Sequence, residues 1–561
     1  MVAVGAAGIA RPAPASAAGS LQRKIDWTGA FWVASGVPAL VLFSIGSIAA
    51  TVGKPSWLVW TVSILFGFVQ SFTYAEIAGM FPHKSGGASV YGAIAWVRYG
   101  KIIAPLSVWC NWFAWSPVLA IGSGLGAGYL LGMFFAPDAA INMWQITLLD
   151  LDWLKTGLSL RINATFLIGA ALMLVTFGVQ HRGISGAART QLVLGVAALL
   201  PLLLVGLVPL LSGDAPLAHF FPLAPMARDA AGHVVDGPWD MAGLTLLAGG
   251  LFIAAWSTYA FETAVCYTRE FRDPARDTFK AIFYSGLLCV VVFSLVPLAF
   301  QGFLGLGDLV VPEVRDAAGT VTQAAVYDGM LAPEIYSGMG VARVMARMIG
   351  GGAVVGNVIV VMMILALVLS IMTAMAGSSR TLYQASVDGW LPRYLSYVNP
   401  HGAPTRAMWT DLVFNLLLLL MSDYVFVLAV SNVGYILFNF LNLNAGWIHR
   451  LDRPDWDRPF RTPGWLMAAG FGLSFVNVAL MALGANVWGA GTLLSGLAFA
   501  ALIVPVFLFR HYVQDRGRFP QQLAEDMYLD DGHATRRAGV LPYLVLATGA
   551  ALMIGIQTLI S

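Results

Sequence analysis

Charge is what this chain has least of. Asp, Glu, Lys and Arg make up 11% of its 561 residues, against 58% hydrophobic residues, where a soluble domain carries roughly a quarter charged. That excludes an ordinary water-soluble fold. Net charge is only +2 and no long Lys/Arg run occurs, so nucleic-acid binding has no footing. Cysteine is equally scarce. Cys110, Cys266 and Cys289 all lie in apolar segments, where they read as small buried hydrophobes and not as a disulfide or thiolate–metal framework. The histidines are scattered without ligand spacing, which argues against a metal site. No HExxH pattern, paired histidines or nucleophile–base set appears, so the chain is not expected to be an enzyme or to need a cofactor. Residues 1–20 lack the basic start and apolar core of a signal peptide; residues 1–24 read as a disordered cytoplasmic tail.

Apolar runs are what the chain has in quantity. A spanning helix needs about 20 apolar residues. Runs of that kind fall near 28–52, 56–80, 103–133, 162–180, 188–211, 243–268, 279–304, 350–385, 406–421, 424–448, 464–484, 490–510 and 540–560. The predicted fold is an all-α integral membrane protein. Of its 31 Lys and Arg residues, placing the N-terminus in the cytoplasm puts all but Lys54, Lys155, Arg161, Arg228, Arg315, Arg343 and Arg347 on the inner side, as the positive-inside rule requires. Three long outer loops, about 134–161, 212–242 and 305–349, are acid-rich (Asp150, Asp214, Asp236, Asp308, Asp316, Asp328 among others). They read as a cation-attracting vestibule or as the ordinary exclusion of basic residues from translocated loops.

Two of the apolar runs are interrupted. In the first, Ala34-Ser35-Gly36-Val37-Pro38 joins a flexible glycine to a proline that lacks an N–H. An unwound stretch there presents free N–H groups suited to a carboxylate; a plain proline kink is the alternative. In the sixth, Trp256-Ser257-Thr258-Tyr259-Ala260-Phe261-Glu262 gathers polar, aromatic and ionisable groups. A carboxylate at mid-membrane costs ~3 kcal/mol or more to insert and therefore faces a cavity or a partner. Glu262 reads either as a proton carrier or sensor, or as a structural carboxylate near the helix end. Trp256 and Tyr259, three apart, could shutter a pocket. On the third helix Asn111 and Trp115 share one face, either as specificity residues or as interhelical packing. The tenth helix carries Asn432, Asn439, Asn442 and Asn444, read as interhelical hydrogen-bonders. Gly122-Ser-Gly124-Leu-Gly126-Ala-Gly128 misses the spacing and context of a dinucleotide fingerprint and reads as close helix packing.

Four loop motifs, in order, carry a resemblance. They are Tyr74-Ala-Glu76 with Phe81-Pro82 and Ser85-Gly86-Gly87-Ala-Ser-Val-Tyr91; Glu270-Phe-Arg-Asp-Pro274-Ala-Arg-Asp-Thr-Phe-Lys280; Ser379-Arg380 through Asp388-Gly389-Trp-Leu-Pro392; and Arg458-Pro-Phe-Arg-Thr-Pro463. Over roughly residues 25–510 the chain resembles the amino acid–polyamine–organocation permeases. The resemblance implies a five-plus-five inverted repeat with broken first and sixth helices: 25–212 and 243–448 as the two repeats, 464–510 as two further helices, and 511–561 as a linker with an added C-terminal span. It implies a secondary transporter of the plasma membrane, working by alternating access and coupled to protons or to exchange. Amino acids are the expected substrate; a polyamine or amine exchanger and a non-transporting nutrient sensor are the alternatives. By position, Ser35, Gly36 and Val37 would bind the substrate carboxylate, and carbonyls of Trp256, Ser257 and Tyr259 its amine. Trp256 would gate, and Glu262 would respond to protons. Ser370 and Thr373 match hydroxyls that bind sodium in relatives of this fold; hydroxyls bonded to their own helix are the alternative. Two departures stand out: Ala34 where many members have glycine, and Ala198 aligned with a proton-coupling lysine.

Overall fold

The computed structural model describes residues 21–560 apart from 22, 137, 214, 316–320, 324, 351 and 528–536. Of the tail expected at 1–24, residues 1–20 and 22 lie outside the described residues, as do the acids Asp214 and Asp316 and the terminal Ser561. Lys24 and Ile25 are tied down, their N–H groups donating to the Glu270 carbonyl at 3.0 and 3.2 Å.

The apolar runs become helices because, without water in the hydrocarbon layer, the backbone must satisfy its own hydrogen bonds. In chain order they are α1 (Trp27–Val52), α2 (Ser56–Gly79), α3 (Ile103–Phe134), α4 (Ala164–Gln180), α5 (Thr190–Ser212), α6 (Met241–Glu270) and α7 (Pro274–Leu304). There follow α8 (Gly352–Val387), α9 (Thr405–Leu419), α10 (Tyr424–Asp452), α11 (Gly464–Trp488), α12 (Thr492–Gln514) and α13 (Leu541–Ile560). Eleven of these are long and apolar enough to cross a membrane; α4 and α9 are shorter. The order matches the thirteen runs read from sequence. The chain is a multi-pass membrane protein.

The share of each span that is buried orders the bundle from centre to edge. It is 94% for α1 and 83% for α10, but 6% for α13, so α1 is central and α13 peripheral. Small residues let the central helices approach closely. A Cβ on Gly124 would sit 2.6 Å from the Tyr424 ring and one on Gly128 2.0 Å from the Met339 sulfur, so the glycine run of α3 serves packing, as its spacing indicated.

Strands appear only outside the spans among the described residues. The long loops on the face opposite the N-terminus carry antiparallel hairpins, β1 (Gln145–Asp150) with β2 (Ser159–Asn163) and β3 (Met226–Arg228) with β4 (Val234–Asp236). Two further short pairs lie within 309–327. These refine the all-helical expectation without touching the membrane core.

Candidate functional site at the two helix breaks

Both interruptions are present, and each changes helix type instead of unwinding into extended chain. In α1, an α-helical half (Trp27–Ala34) gives way to a 3-10 turn, Val37–Leu40, and then to Val41–Val52. Pro38 occupies the first turn of the 3-10 segment, where its missing N–H costs nothing. In α6, the α-helix ends at Thr258 and an eleven-residue 3-10 helix runs from Ala260 to Glu270. Runs of that kind rarely exceed three or four residues and mark hinges or strain. The changeover falls at Tyr259, inside the stretch expected from sequence.

The α1 break is covered by α8 and α5. Thr373 donates to the Val33 carbonyl at 2.6 Å and Ser370 to the Gly36 carbonyl at 2.7 Å. Gln191 on α5 reaches the same Val33 carbonyl at 3.3 Å. Ser35 turns its hydroxyl back to the Trp32 carbonyl at 2.6 Å. Gly36 has to be glycine here, because a Cβ would meet Thr373 Oγ1 at 2.5 Å and the Leu369 carbonyl at 2.6 Å. On α5 the backbone passes close to Ser35 at Gly195, where a Cβ would stand 2.8 Å from Ser35 Oγ. Gly195 lies one turn before Ala198, and neither residue is a lysine.

The α6 break carries the ionisable group. Glu262 is 1% exposed. Its Oε1 accepts from Trp115 Nε1 at 3.0 Å and from Asn111 Nδ2 at 3.3 Å. Asn111 is itself held by Ser89, whose hydroxyl donates to Asn111 Oδ1 at 2.8 Å. The shared face of Asn111 and Trp115 therefore meets the carboxylate. The backbone N–H of Ala88 also faces this carboxylate, and Oε2 makes no hydrogen bond of ordinary geometry among the described residues. Elsewhere in the core Glu270 pairs with Arg380 and Glu76 with Arg450, whereas Glu262 is held by neutral donors.

Trp256 closes over this point: its Nε1 donates to the Ala114 carbonyl at 2.9 Å, and its ring lies 5.8 Å from that of Phe43. Ser257 Oγ points at the Leu40 carbonyl across a long 3.4 Å, and Val37, at the start of the same 3-10 turn as Leu40, is buried. Tyr259 turns away toward α11, its hydroxyl donating to Asn477 Oδ1 at 3.0 Å. The two breaks and the α3 face thus come together, sealed from solvent on both sides; Ser35, Trp256 and Glu262 are each at most 3% exposed.

A polar chain that sequence reading did not assemble extends from Tyr259. Asn477 donates to Asn439 at 2.9 Å, and Asn439 to Gln70 at 2.7 Å and to the Tyr74 hydroxyl at 2.6 Å. Gln70 and Tyr74 are four apart on α2, a spacing that could have flagged a shared polar face. Asn432, Asn442 and Asn444 bond to neighbouring helices or their own turn. Tyr435 gave no signal. Its ring lies 6.3 Å from Trp115 and 6.0 Å from Tyr259, and its hydroxyl has no partner among the described residues. Asp411 on α9 was also missed: it is fully buried and accepts from Trp112, Ser116 and Ser378 at 2.9, 2.5 and 2.5 Å.

A family model described as amino acid permease matches residues 25–507. The chain belongs to that family. It is 24% identical to a polyamine transporter of rice, Oryza sativa, over 82% of this chain and 75% of the relative. It is 23% identical to a branched-chain amino acid permease of Bacillus subtilis, over 82% and 83% of the two chains. A branched-chain amino acid permease of Lactococcus lactis is 22% identical over 76% and 82%. The family match ends at residue 507, before α13, so the peripheral helix lies outside the matched part that carries both breaks.

Proposed function

We propose that the protein is a secondary transporter that carries an amino acid across the plasma membrane by alternating access, with its N-terminus in the cytoplasm. The observation that carries the reading is the carboxylate of Glu262, buried at the α6 break among neutral donors, with no cation paired to it among the described residues. A site of that kind answers to an ammonium group or a proton. Helix breaks near the centre of a bundle release backbone groups for a ligand. The α1 turn at Ser35, Gly36 and Val37 supplies the carboxylate end, and the carbonyls of Trp256, Ser257 and Tyr259 the amine end. Asn111 and Trp115 position Glu262 rather than reading the substrate side chain. Trp256 is the gate.

Proton coupling or exchange is the reading drawn from the Glu262 carboxylate. Ser370 and Thr373 hold their hydroxyls 2.7 and 2.6 Å from α1 carbonyls, a set of oxygens that serves equally for helix packing or for a sodium ion. The broken first helix and the broken helix five places later support a five-plus-five division at 25–212 and 243–448. A second reading, a polyamine or amine exchanger, draws on the same uncompensated carboxylate and on the rice relative's name.

Thermal stability of the purified protein against all amino acids, simple polyamines and aromatic amines separates these readings, followed by uptake into vesicles with whatever binds. A ligand at 100 times its dissociation constant adds ~2.7 kcal/mol. Stabilisation by amino acids is the expected result. A response to polyamines alone would move the assignment to amine exchange, and binding without uptake would make the protein a sensor.

A further inference from the structure

On the face that carries the N-terminus, the end of α12 is built unlike the other spans. Its last turn, Phe509–Gln514, is π-helical, a local widening that recurs at functional positions. Two residues on, Arg516 is the one non-glycine residue with positive φ among those described, at 52°, a conformation that costs a bulky side chain energy and persists where its surroundings enforce it. These two irregularities flank a pocket of about 430 Å3, lined by Arg393, Arg510, Arg518, Ser386, Ser396 and Asp515, with Phe519 and Pro520 closing one side.

Two of the arginines are held in place, and the third, Arg518, lines the pocket from an exposed position. Arg510, 4% exposed, donates to the Ser386 carbonyl at 3.1 Å and pairs with Asp515 at 2.8 Å. Arg393 grips the other Asp515 oxygen through Nε and Nη2 at 3.0 and 2.7 Å. Asp515 thus orients two guanidinium groups but balances the charge of only one. With Arg518 the lining keeps an excess of two positive charges, and Lys101 stands 5.6 Å from the Phe519 ring at the rim. Planar guanidinium forks held in place match the oxygens of a phosphate.

The surroundings say what carries that phosphate. Phe509, Tyr512 and Val513, on the π-helical turn, are 49, 57 and 66% exposed, an apolar flank at the membrane boundary. We propose that this pocket is a phosphate-binding site that holds the headgroup of an anionic phospholipid, with the acyl chains lying along α12. Basic pockets between helices at the cytoplasmic boundary are suited to such headgroups; placing this one in the cytoplasmic leaflet rests on the orientation proposed above, but binding itself does not depend on transport.

The full chain in neutral detergent would be titrated with phosphatidylglycerol, phosphatidylcholine and inorganic phosphate, reading bound lipid by native mass spectrometry and the melting temperature in parallel. Phosphatidylglycerol should bind and stabilise, phosphatidylcholine should not, and Arg518→Gln should weaken phosphatidylglycerol by at least about tenfold, the loss of one charge-assisted hydrogen bond. Arg276→Gln, the same charge change at an exposed position outside the pocket, should leave it unaltered. Equal affinity for the two lipids, or equal losses in both variants, would overturn the site. Stabilisation by inorganic phosphate as strong as by the lipid would overturn the lipid assignment in favour of a soluble phosphate. Should Arg518→Gln fail to fold, Ser396→Asp places a negative charge in the same pocket and should weaken phosphatidylglycerol in the same assay.

Discussion

The two mouths of this bundle are closed by different physics. On the N-terminal face the closure is ionic and buried. Glu270 at the end of α6 forms a fork with Arg380 of α8, at 2.5 and 3.1 Å, and the Arg380 guanidinium lies 5.3 Å from the Tyr267 ring. Lys84, fully buried before α3, pairs with Asp388 at 2.5 Å and with Asp526 of the α12–α13 linker at 3.0 Å. Around these pairs, Gly86 N–H donates to the Cys266 carbonyl and Tyr91 to the Val265 carbonyl. On the opposite face, contact is backbone against small residue. A Cβ on Gly46 would lie 2.0 Å from the Ile335 carbonyl, and Tyr129 donates to the Gly338 carbonyl at 2.9 Å. The ion pairs there, such as Lys54 with Asp236 at 2.8 Å, are partly exposed.

Among the described residues, only the mouth on the N-terminal face depends on buried charge for its closure. Removing one partner of a buried pair leaves the other uncompensated, whereas an exposed pair loses little. The largest effect is therefore expected from Arg380→Gln, which should cost ~3–5 kcal/mol by stranding Glu270. Thermal melting should show much of that loss recovered in the Arg380→Gln/Glu270→Gln double variant, and additive losses would break the comparison.

A smaller, pH-dependent effect is expected at the linker. Burial works against the charge on Asp526, but the hydrogen bond from His83 and the nearby Lys84 outweigh it and hold the carboxyl below its usual 3.8. Burial likewise opposes the Lys84 charge, yet Asp388 and Asp526 together raise its pKa. A lowered carboxyl contributes stability above its ordinary range and loses it as pH falls through the lowered value. Wild-type protein should consequently lose melting temperature on acidification toward pH 3 more steeply than Asp526→Asn. Parallel acid profiles would remove Asp526 from the closure.

The smallest effect is expected from Lys54→Gln on the opposite face, within about 1 kcal/mol and fading in high salt. A loss as large as that of Arg380→Gln would show that the two mouths do not differ as described.

Much of this was legible in the chain because it is local. Pro38 after Gly36 marked the first break, and the polar run from Trp256 to Glu262 marked the second. Thirteen apolar runs gave the spans with errors of a few residues. What was not legible is pairing across hundreds of residues. Glu270, Arg380 and Asp388 each stood in a recognised loop motif and Lys84 beside one, yet nothing in the order of residues says that 270 meets 380 or that 84 meets 388 and 526. The Asn111–Trp115 face was visible, but its target was not. The short strands at 145–163 escaped because β1 is fully exposed, so no alternation of buried and exposed residues marks it. Asp411 escaped because a lone carboxylate with hydroxyl partners on two other helices has no local pattern.

Glu262 is the buried carboxylate at the α6 break with no paired cation among the described residues. The most direct test is the pH dependence of substrate uptake by wild type and Glu262→Gln reconstituted in vesicles, with insertion and melting temperature matched. Uptake by the wild type should vary with pH, and the variant should bind substrate but show a flattened profile. An unaltered pH profile in the variant would contradict the proton role and return Glu262 to a structural one.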